Sequence, residues 1–519
     1  MYDYNLGVRF ETAVADHAQR SALWFNSDES ISYGGLNKLA NKIARWLITQ
    51  GVNSRDVVCL SGEKTLSTFA CMLGCLKVGA VYCVLDPDSP PERLRKILTT
   101  CRPRLLLVER QLPSEAGEVV SDLGIEVGEK NSDQLARTLS DLDESNLPQT
   151  HRVTGTNPAY IMFTSGSTGV PKGAVIAHAA DLNFIDRCQN VFGINERDVL
   201  TNVNPLFFDN SVFDFYSALF TGASLAPFTP EEVRDPRGLV DKVDAAGCTL
   251  WFSVPSLLMF LQTMKAADGR NLRSIRRFVF GGEGYPKSKL KSLYDSYSDS
   301  AEFFNVYGPT ECTCICSSYK IGDDDFADLR GLSPLGKIAG NFEFLILDEE
   351  CKMAPPGETG ELCLLGPNVG PGYYNDPQQT AASFVRNPYN DKFAETMYKT
   401  GDLVRLDPAD SKLYLQGRRD NQIKHMGYRI ELEEIEAALQ CLNYVCEGVA
   451  LHTRENGLSR IIAIVSTREE LDRDRMRHDL KQIIPEYMIP SLFYRELQLS
   501  KTPNGKIDRR HLAEKYLSK

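Results

Sequence analysis

Residues 33–108 switch repeatedly between two apolar patterns, and that switching constrains the fold more than any other feature of the chain. Leu36, Leu39, Ala40, Ile43, Ala44 and Leu47 recur at the spacing of an amphipathic helix, and Gly51 stands where such a helix stops. Leu66, Phe69, Ala70, Leu73 and Leu76 repeat the pattern up to Gly79. The run Ala80–Leu85 then reads as a buried strand, broken by Asp86-Pro87. Ser89, Pro90 and Pro91 predict a helix entry, because proline is tolerated in a first turn. Leu105–Val108 predicts another buried strand. Strands alternating with helices imply parallel sheets covered on both faces. The middle of the chain continues in this α/β style. Residues 130–150 are polar and read as a surface connection, and short β-rich runs such as Glu343–Leu347 and Glu361–Leu365 fall between about 340 and 416.

A second unit is expected near Asp420, after the polar, glycine-started segment Gly417-Arg-Arg-Asp-Asn-Gln. Helices are predicted over Leu432–Leu442, over 471–484 and after Asp508. Strands are predicted over Val445–His452, Arg460–Val465 and Leu492–Leu497, with a turn at Asn456-Gly457. The expected division is a large α/β N-terminal domain, 1–419, with a small β-rich subdomain, and a small mobile α+β C-terminal domain, 420–519. The sequence contains no internal repeat and no low-complexity tract.

Of the 519 residues 42% are hydrophobic and 24% charged, ordinary values for a globular chain. The net charge of −11 disfavours a non-specific nucleic-acid binder, which needs a basic patch. Acidic composition does not exclude a nucleotide, which a few local groups can hold. The 14 cysteines show no zinc-like pairing, and most read as small buried apolar residues of a reducing compartment. Cys312, Cys314 and Cys316 alternate, so on a strand they would share one face. No apolar run approaches the ~18 residues of a membrane span. The N-terminus lacks a basic start followed by an apolar stretch, so the expected location is cytoplasmic.

The sharpest motif is Tyr160-Ile-Met-Phe-Thr164-Ser165-Gly166-Ser167-Thr168-Gly169-Val-Pro171-Lys172-Gly173. An apolar run feeds a loop of small hydroxyl and glycine residues closed by a lysine. Small residues let backbone N–H groups approach phosphate oxygens, hydroxyls add donors, and lysine adds charge. The loop is not a Walker A site, because Pro171 precedes Lys172 and Gly173 follows it.

This loop resembles the phosphate loop of adenylate-forming enzymes, the superfamily of acyl-CoA ligases, luciferases and non-ribosomal peptide synthetase adenylation domains. Further signatures of the peptide-synthetase branch follow in order. They include Ile31-Ser-Tyr-Gly-Gly-Leu, Leu76-Lys-Val-Gly-Ala-Val-Tyr, Phe208-Asp-Asn-Ser211, Asn305-Val-Tyr-Gly-Pro-Thr-Glu311 and Tyr398-Lys-Thr-Gly-Asp-Leu403. Gly417-Arg-Arg-Asp-Asn-Gln-Ile-Lys, Gly427-Tyr-Arg-Ile-Glu, Pro485-Glu-Tyr-Met-Ile-Pro490 and Asn504-Gly-Lys-Ile-Asp-Arg509 complete the series. The resemblance covers nearly the whole chain.

It implies ATP and Mg²⁺ as cofactors. Thr164–Gly169 and Lys172 would hold phosphates; Tyr307 would stack on adenine and Asn305 read its amino edge, with Val306, Gly308, Gly282, Glu283 and Gly284 around the nucleotide. Asp402 would accept the ribose hydroxyls and Arg418 would bond the ribose. Thr310 and Glu311 would approach the phosphates, with Glu311 on Mg²⁺, a hard ion that prefers oxygen. Lys506 would bridge the substrate carboxylate and the nucleotide, because two anions must meet for the carboxylate to attack. Asp420 matches the family's hinge, and Phe208 and Gly427 would line a pantetheine channel. The chain departs from the family pattern at Pro371, His425, Met426 and Glu433.

Asp209 is the substrate discriminator in this resemblance: in amino-acid-activating members an aspartate here pairs with the α-ammonium. Its other use would be to cap a helix, a role Ser211 could share. The implied pocket is Asp209, Asn210, Phe213, Phe252, Val279, Gly281, Val306, Cys314 and Ile315, with Lys506 at the carboxylate end. Two phenylalanines narrow it and Gly281 is expected to leave room beside them. Proline, valine or isoleucine is expected, with alanine behind. D-alanine or glycine activation for cell-envelope modification is the enzyme alternative, and a catalytically silent scaffold is the alternative of another class. No Gly-Gly-x-Ser carrier site follows Lys506, so the expected partner is a separate phosphopantetheine carrier protein.

Overall fold

The computed structural model describes residues 3–455, 458–501 and 507–517. The predicted alternation is realised in two large sheets. One runs 372–373, 172–177, 158–164, 81–85, 57–61, 105–108, 127–129 across its width, with parallel pairing through the centre. The other runs 337–338, 317–320, 302–307, 277–281, 250–253, 199–202, 224–227, 21–26, 29–32, again parallel in its middle and antiparallel at both edges. Helices Tyr33–Thr49 and Leu66–Val78 lie where the apolar spacing predicts them. Ser32 and Thr65 cap their starts, and Gly79 closes the second at φ 80°. Strand Leu105–Val108 has the predicted bounds.

Two local readings are corrected. Residues 130–150 are more than a connection: Asp133–Ser140 is a helix, capped by Ser132 and anchored by buried Leu135 and Leu139. Two leucines one turn apart suffice to seat a short helix, and so sparse a pattern hides in a polar stretch. The Cys312–Cys316 segment is no strand; Thr310–Cys312 is a 3₁₀ turn, and Thr313 and Cys314 have φ of 61° and 66°. The helix entry predicted at Ser89-Pro90-Pro91 is present: the helix starts at Pro91, with proline in its first turn.

A third, antiparallel sheet of 343–347, 359–365, 384–386, 396–406 and 413–418 forms the β-rich part. After Arg418 the pairing changes. Strands 422–425 and 428–431 form a separate hairpin, and 445–455, 458–467 and 492–495 form a last sheet covered by helices 432–440, 473–481 and 509–517. The apolar clusters divide at the same point: those built on Ile430–Phe493 and Val449–Leu512 share no buried residue with those before 419. Eleven cysteines are buried; Cys351, Cys441 and Cys446 are exposed. No helix among the described residues is long and apolar enough to cross a membrane.

Candidate active site

The C-terminal ends of the central strands and the 422–431 hairpin enclose a narrow cleft of about 60 Å³. The serine-glycine loop is the turn of an antiparallel hairpin in which Thr164 pairs with Lys172. Gly166 is obligatory there: a Cβ would stand 1.9 Å from Val170 O. Lys96 Nζ donates to Gly169 O at 2.7 Å, tying the turn to helix 91–101. Ser167 and Thr168 face solvent, while the buried Thr164 hydroxyl has no hydrogen-bond partner among the described residues. Small donors, an unsatisfied hydroxyl and Lys172 fit a phosphate chain.

Asp209 heads helix 210–219 but makes no capping bond. Ser211 does not cap either; its hydroxyl donates to Phe208 O at 2.7 Å. The Asp209 carboxylate is therefore free to face the cleft, where Thr310 Oγ1 donates to it at 2.7 Å. Burial raises the Asp209 pKa, and the Thr310 bond acts against that rise. Asn210, Phe252, Gly281, Val306, Cys314 and Ile315 border the same cleft. Phe213 and Val279 do not: both are fully buried, and Phe213 backs Phe252 with ring centres 4.7 Å apart. Gly281 leaves no room either, because a Cβ there would lie 2.6 Å from Val306 O. The pocket is shallower than its sequence implied.

The wall at Cys314 and Ile315 is held from behind. Arg187, on helix 178–192, donates to Ile315 O. Thr313 Oγ1 donates to Asn368 O at 3.0 Å, and Asn368 donates to Ala180 O at 2.8 Å. Gly308 permits the close approach of this turn, since a Cβ on it would stand 2.2 Å from Cys314 O.

The proposed nucleotide groups are spent on one another here. Tyr307 donates its hydroxyl to Asp402 at 2.5 Å, and Arg418 donates to Asp402 at 2.6 Å and to both oxygens of Asp420. Asn305 stands apart from the cleft: its amide donates to Pro334 O at 2.8 Å, a bond that serves the fold. Gly282 borders the cleft, and a Cβ on Gly284 would meet Leu332. The Glu283 carboxylate accepts from Gly427 N at 2.7 Å and Ser256 N at 3.3 Å. Gly427, at φ 85°, borders the cleft so closely that a Cβ would meet Val254 at 2.7 Å. Phe208 lies edge-on to Tyr428 at 5.0 Å.

Glu311 is fully buried between Tyr373 Oη and Arg429 Nη1, each 2.7 Å away. Burial works to raise its pKa, but Arg429 and the two hydrogen bonds overcome that and bring it down to about 2. An ionised carboxylate at this point fits a hard cation. No group of three His, Cys, Asp or Glu side chains that could hold a metal occurs among the described residues, so an ion on Glu311 would draw its other oxygens from its ligand. Lys506 lies outside the described residues.

Lys424 was missed as a site residue. It lines the cleft, half-buried, with its ammonium 5.3 Å from the centre of the Tyr307 ring, where adenine was expected to stack. Burial lowers its pKa, while Asp402 and Asp209 act to raise it. The signal was the two-residue period of Gln422-Ile-Lys424: alternate residues enter the cleft while Ile423 joins the C-terminal core.

The sequence profile described as AMP-binding enzyme matches residues 10–374. The dimodular nonribosomal peptide synthase of Bacillus subtilis (strain 168) is 33% identical over 505 residues, 97% of this chain and 20% of that protein. Tyrocidine synthase 1 of Brevibacillus parabrevis is 30% identical over 513 residues, 98% of this chain and 45% of that protein. The chain thus spans less than half the length of these relatives. The Vibrio cholerae adenylation domain AlmE, solved with glycyl-adenosine-5'-phosphate, has the same fold, with a TM-score of 0.83 at 21% identity over 100% of this chain and 99% of that one. PA1221, an NRPS protein containing adenylation and PCP domains, also has a TM-score of 0.83, at 24% identity over 99% and 84% of the two chains.

Proposed function

This chain belongs to the AMP-binding enzyme family and is an adenylate-forming ligase that uses ATP; from that premise we propose that it activates a small or medium apolar α-amino acid and hands it to a separate phosphopantetheine carrier protein. The observation that carries this reading is Asp209. A half-buried carboxylate at the head of a helix, unused as a cap and bordering the cleft beside Phe252, Val306, Cys314 and Ile315, suits a ligand cation.

Asp209 would bind the α-ammonium and leave the substrate carboxylate turned toward the nucleotide. Lys172 and the 164–169 loop would hold the phosphates, and Asp402 with Arg418 the ribose. One carboxylate oxygen bonds to the α-phosphorus as the bond to the β-phosphate breaks, and pyrophosphate leaves. Mg²⁺, when bound against Glu311, would neutralise charge on that leaving group. Lys506 would supply fixed positive charge between the two anions. In the second step a carrier thiol sulfur bonds to the acyl carbon, AMP leaves, and the thiol proton is released. Residues 1–419 and 420–519 would act as two domains, with Asp420 as the hinge between the steps.

Proline, valine and isoleucine remain the favoured substrates. A smaller side chain, that of alanine or glycine, is the second reading, favoured by Val306 filling the space over Gly281. Amino-acid-dependent ATP–pyrophosphate exchange over a substrate panel decides between them. Exchange should be led by one of these five and be far weaker with lysine, glutamate or tryptophan. Neighbours differing by a methylene should leak, since a methylene is worth only ~1–3 kcal/mol. Exchange led by a benzoate or a fatty acid would refute the assignment of Asp209.

A further inference from the structure

Thr310 borders the cleft next to both assigned ligand sites. Its hydroxyl donates to Asp209 Oδ2 at 2.7 Å, and the following residue is Glu311, the carboxylate suited to a hard cation. The backbone that carries Thr310 is fixed. Cys312 N donates to Pro309 O at 3.0 Å, Thr313 N to Thr310 O at 3.2 Å, and Gly370 N to Glu311 O at 2.8 Å. Glu311 is pinned in turn by Tyr373 and Arg429. What Thr310 keeps is rotation about χ1, which offers its hydroxyl a small set of staggered positions. That hydroxyl has one proton to donate. In this structure the proton goes to Asp209, whose pKa is raised by burial and by Glu311, while Thr310, Arg429 and Lys424 act to keep it ionised. A hydroxyl that donates to Asp209 has no proton for a phosphate oxygen, the other role assigned to it above.

We propose that the Thr310 hydroxyl is a relay between the two substrates: it donates to Asp209 before an amino acid binds, and is released to a nucleotide phosphate once an α-ammonium neutralises Asp209. The proposal rests on the reading of Asp209 as the ammonium site and of Thr310 as a neighbour of the phosphates. Two anions compete for one proton. A hydrogen bond to a charged acceptor is about twice as strong as one to a neutral acceptor. In the free protein ATP has to draw the proton away from a charged carboxylate. An ammonium on Asp209 offsets that charge, and the phosphate oxygen becomes the stronger acceptor. No covalent bond changes; one O–H turns from one oxygen to another. The coupling is reciprocal, so ATP tightens the amino acid by the same factor as the amino acid tightens ATP, and the difference between a charged and a neutral acceptor sets that factor at roughly fivefold. A fatty or aryl acid brings no ammonium, leaves the proton on Asp209 and gains nothing at the nucleotide. The relay thus extends selection for the amine from the Asp209 contact to the binding of ATP.

The test measures equilibrium binding of radiolabelled ATP with Mg²⁺ to the full chain, with and without a saturating amino alcohol derived from the amino acid that leads the exchange panel. The amino alcohol keeps the ammonium and the side chain but has no carboxylate, so it cannot be adenylated. Calorimetry measures its own binding separately. The Kd for ATP is expected to fall roughly fivefold with the amino alcohol in the wild type and in Thr310→Ser, which keeps the hydroxyl. In Thr310→Val and Thr310→Ala, which lack it, the Kd should change less than about twofold. Thermal unfolding identifies a variant that fails to fold, and either hydroxyl-free variant suffices. Neutralisation of Asp209 that acts on ATP through space alone would give equal tightening in all four proteins and would overturn the relay. An amino alcohol that binds the wild type without changing the Kd for ATP would overturn it too, and in both outcomes the ammonium site at Asp209 stands. An amino alcohol that does not bind the wild type would overturn the relay and the Asp209 assignment together.

Discussion

Asp209 is the residue on which the substrate class turns. Its carboxylate holds one hydroxyl bond, from Thr310, and no capping bond. Asp209→Asn keeps the shape and the Thr310 contact but removes the charge. Hydrogen bonds to charged groups contribute about 1.5–3 kcal/mol, so KM for the amino acid should rise ~10- to 100-fold, with KM for ATP nearly unchanged. An unchanged amino-acid KM in exchange assays would remove Asp209 from the ammonium site. Lys506 lies outside the described residues, and its role rests on its motif. Lys506→Ala should lower the exchange rate by ~10²-fold or more, the scale of a lost oxyanion donor, without changing the unfolding temperature.

Helix 178–192 braces the wall of the pocket, and two predictions belong to elements it touches. Gly308→Ala places a Cβ 2.2 Å from Cys314 O, where the Thr313-Cys314 turn already carries two left-handed residues. Overpacking of this kind costs about 1–3 kcal/mol, which a lowered urea midpoint at constant slope would report. His178 opens the helix, buried, and its Nδ1 accepts from Leu6 N at 3.1 Å. Burial lowers its pKa to about 3. The folded value is below the unfolded value of ~6.5, so this stabilisation is complete above pH ~6.5 and is lost as pH falls toward 3, by about 1.4 kcal/mol per unit. Unfolding free energies at pH 7, 6 and 5 should show that slope in the wild type and a flatter one in His178→Asn, whose side chain can still accept from Leu6 N.

At the scale of the whole molecule, the two packed units meet through charge and aromatic contacts. Arg93 pairs with Glu434 across the boundary, with side chains only 9% and 5% exposed. Tyr428 and Tyr487 stack at 3.8 Å beside Phe208. Arg93→Met leaves Glu434 buried without its cation, a loss of about 3–5 kcal/mol to the docked arrangement. Energy transfer between dyes on the exposed thiols Cys351 and Cys441, with Cys446→Ser, should report a shifted resting orientation. An unaltered resting signal would mean that this pair does not hold the orientation.

The sequence by itself determined what is local. Helices, strand Leu105–Val108 and the change of pattern after Arg418 were legible because apolar period, glycine stops and proline starts act within a few residues. Asp209, Val306, Tyr307, Asp402, Arg418 and Gly427, singled out from motifs far apart in the chain, border one cleft. Helix 133–140 escaped because two leucines make no visible period. The tertiary structure alone decided which groups are free. Asn305 looked available for a base, but Pro334 O lies opposite its amide. Gly281 looked like open space, but Val306 from the neighbouring strand fills it. Lys172 and Glu431 stand 259 residues apart in sequence, and Glu311 and Arg429 118 apart. Their pairing depends on how two separately packed cores dock, a property of complementary surfaces that leaves no period in the chain.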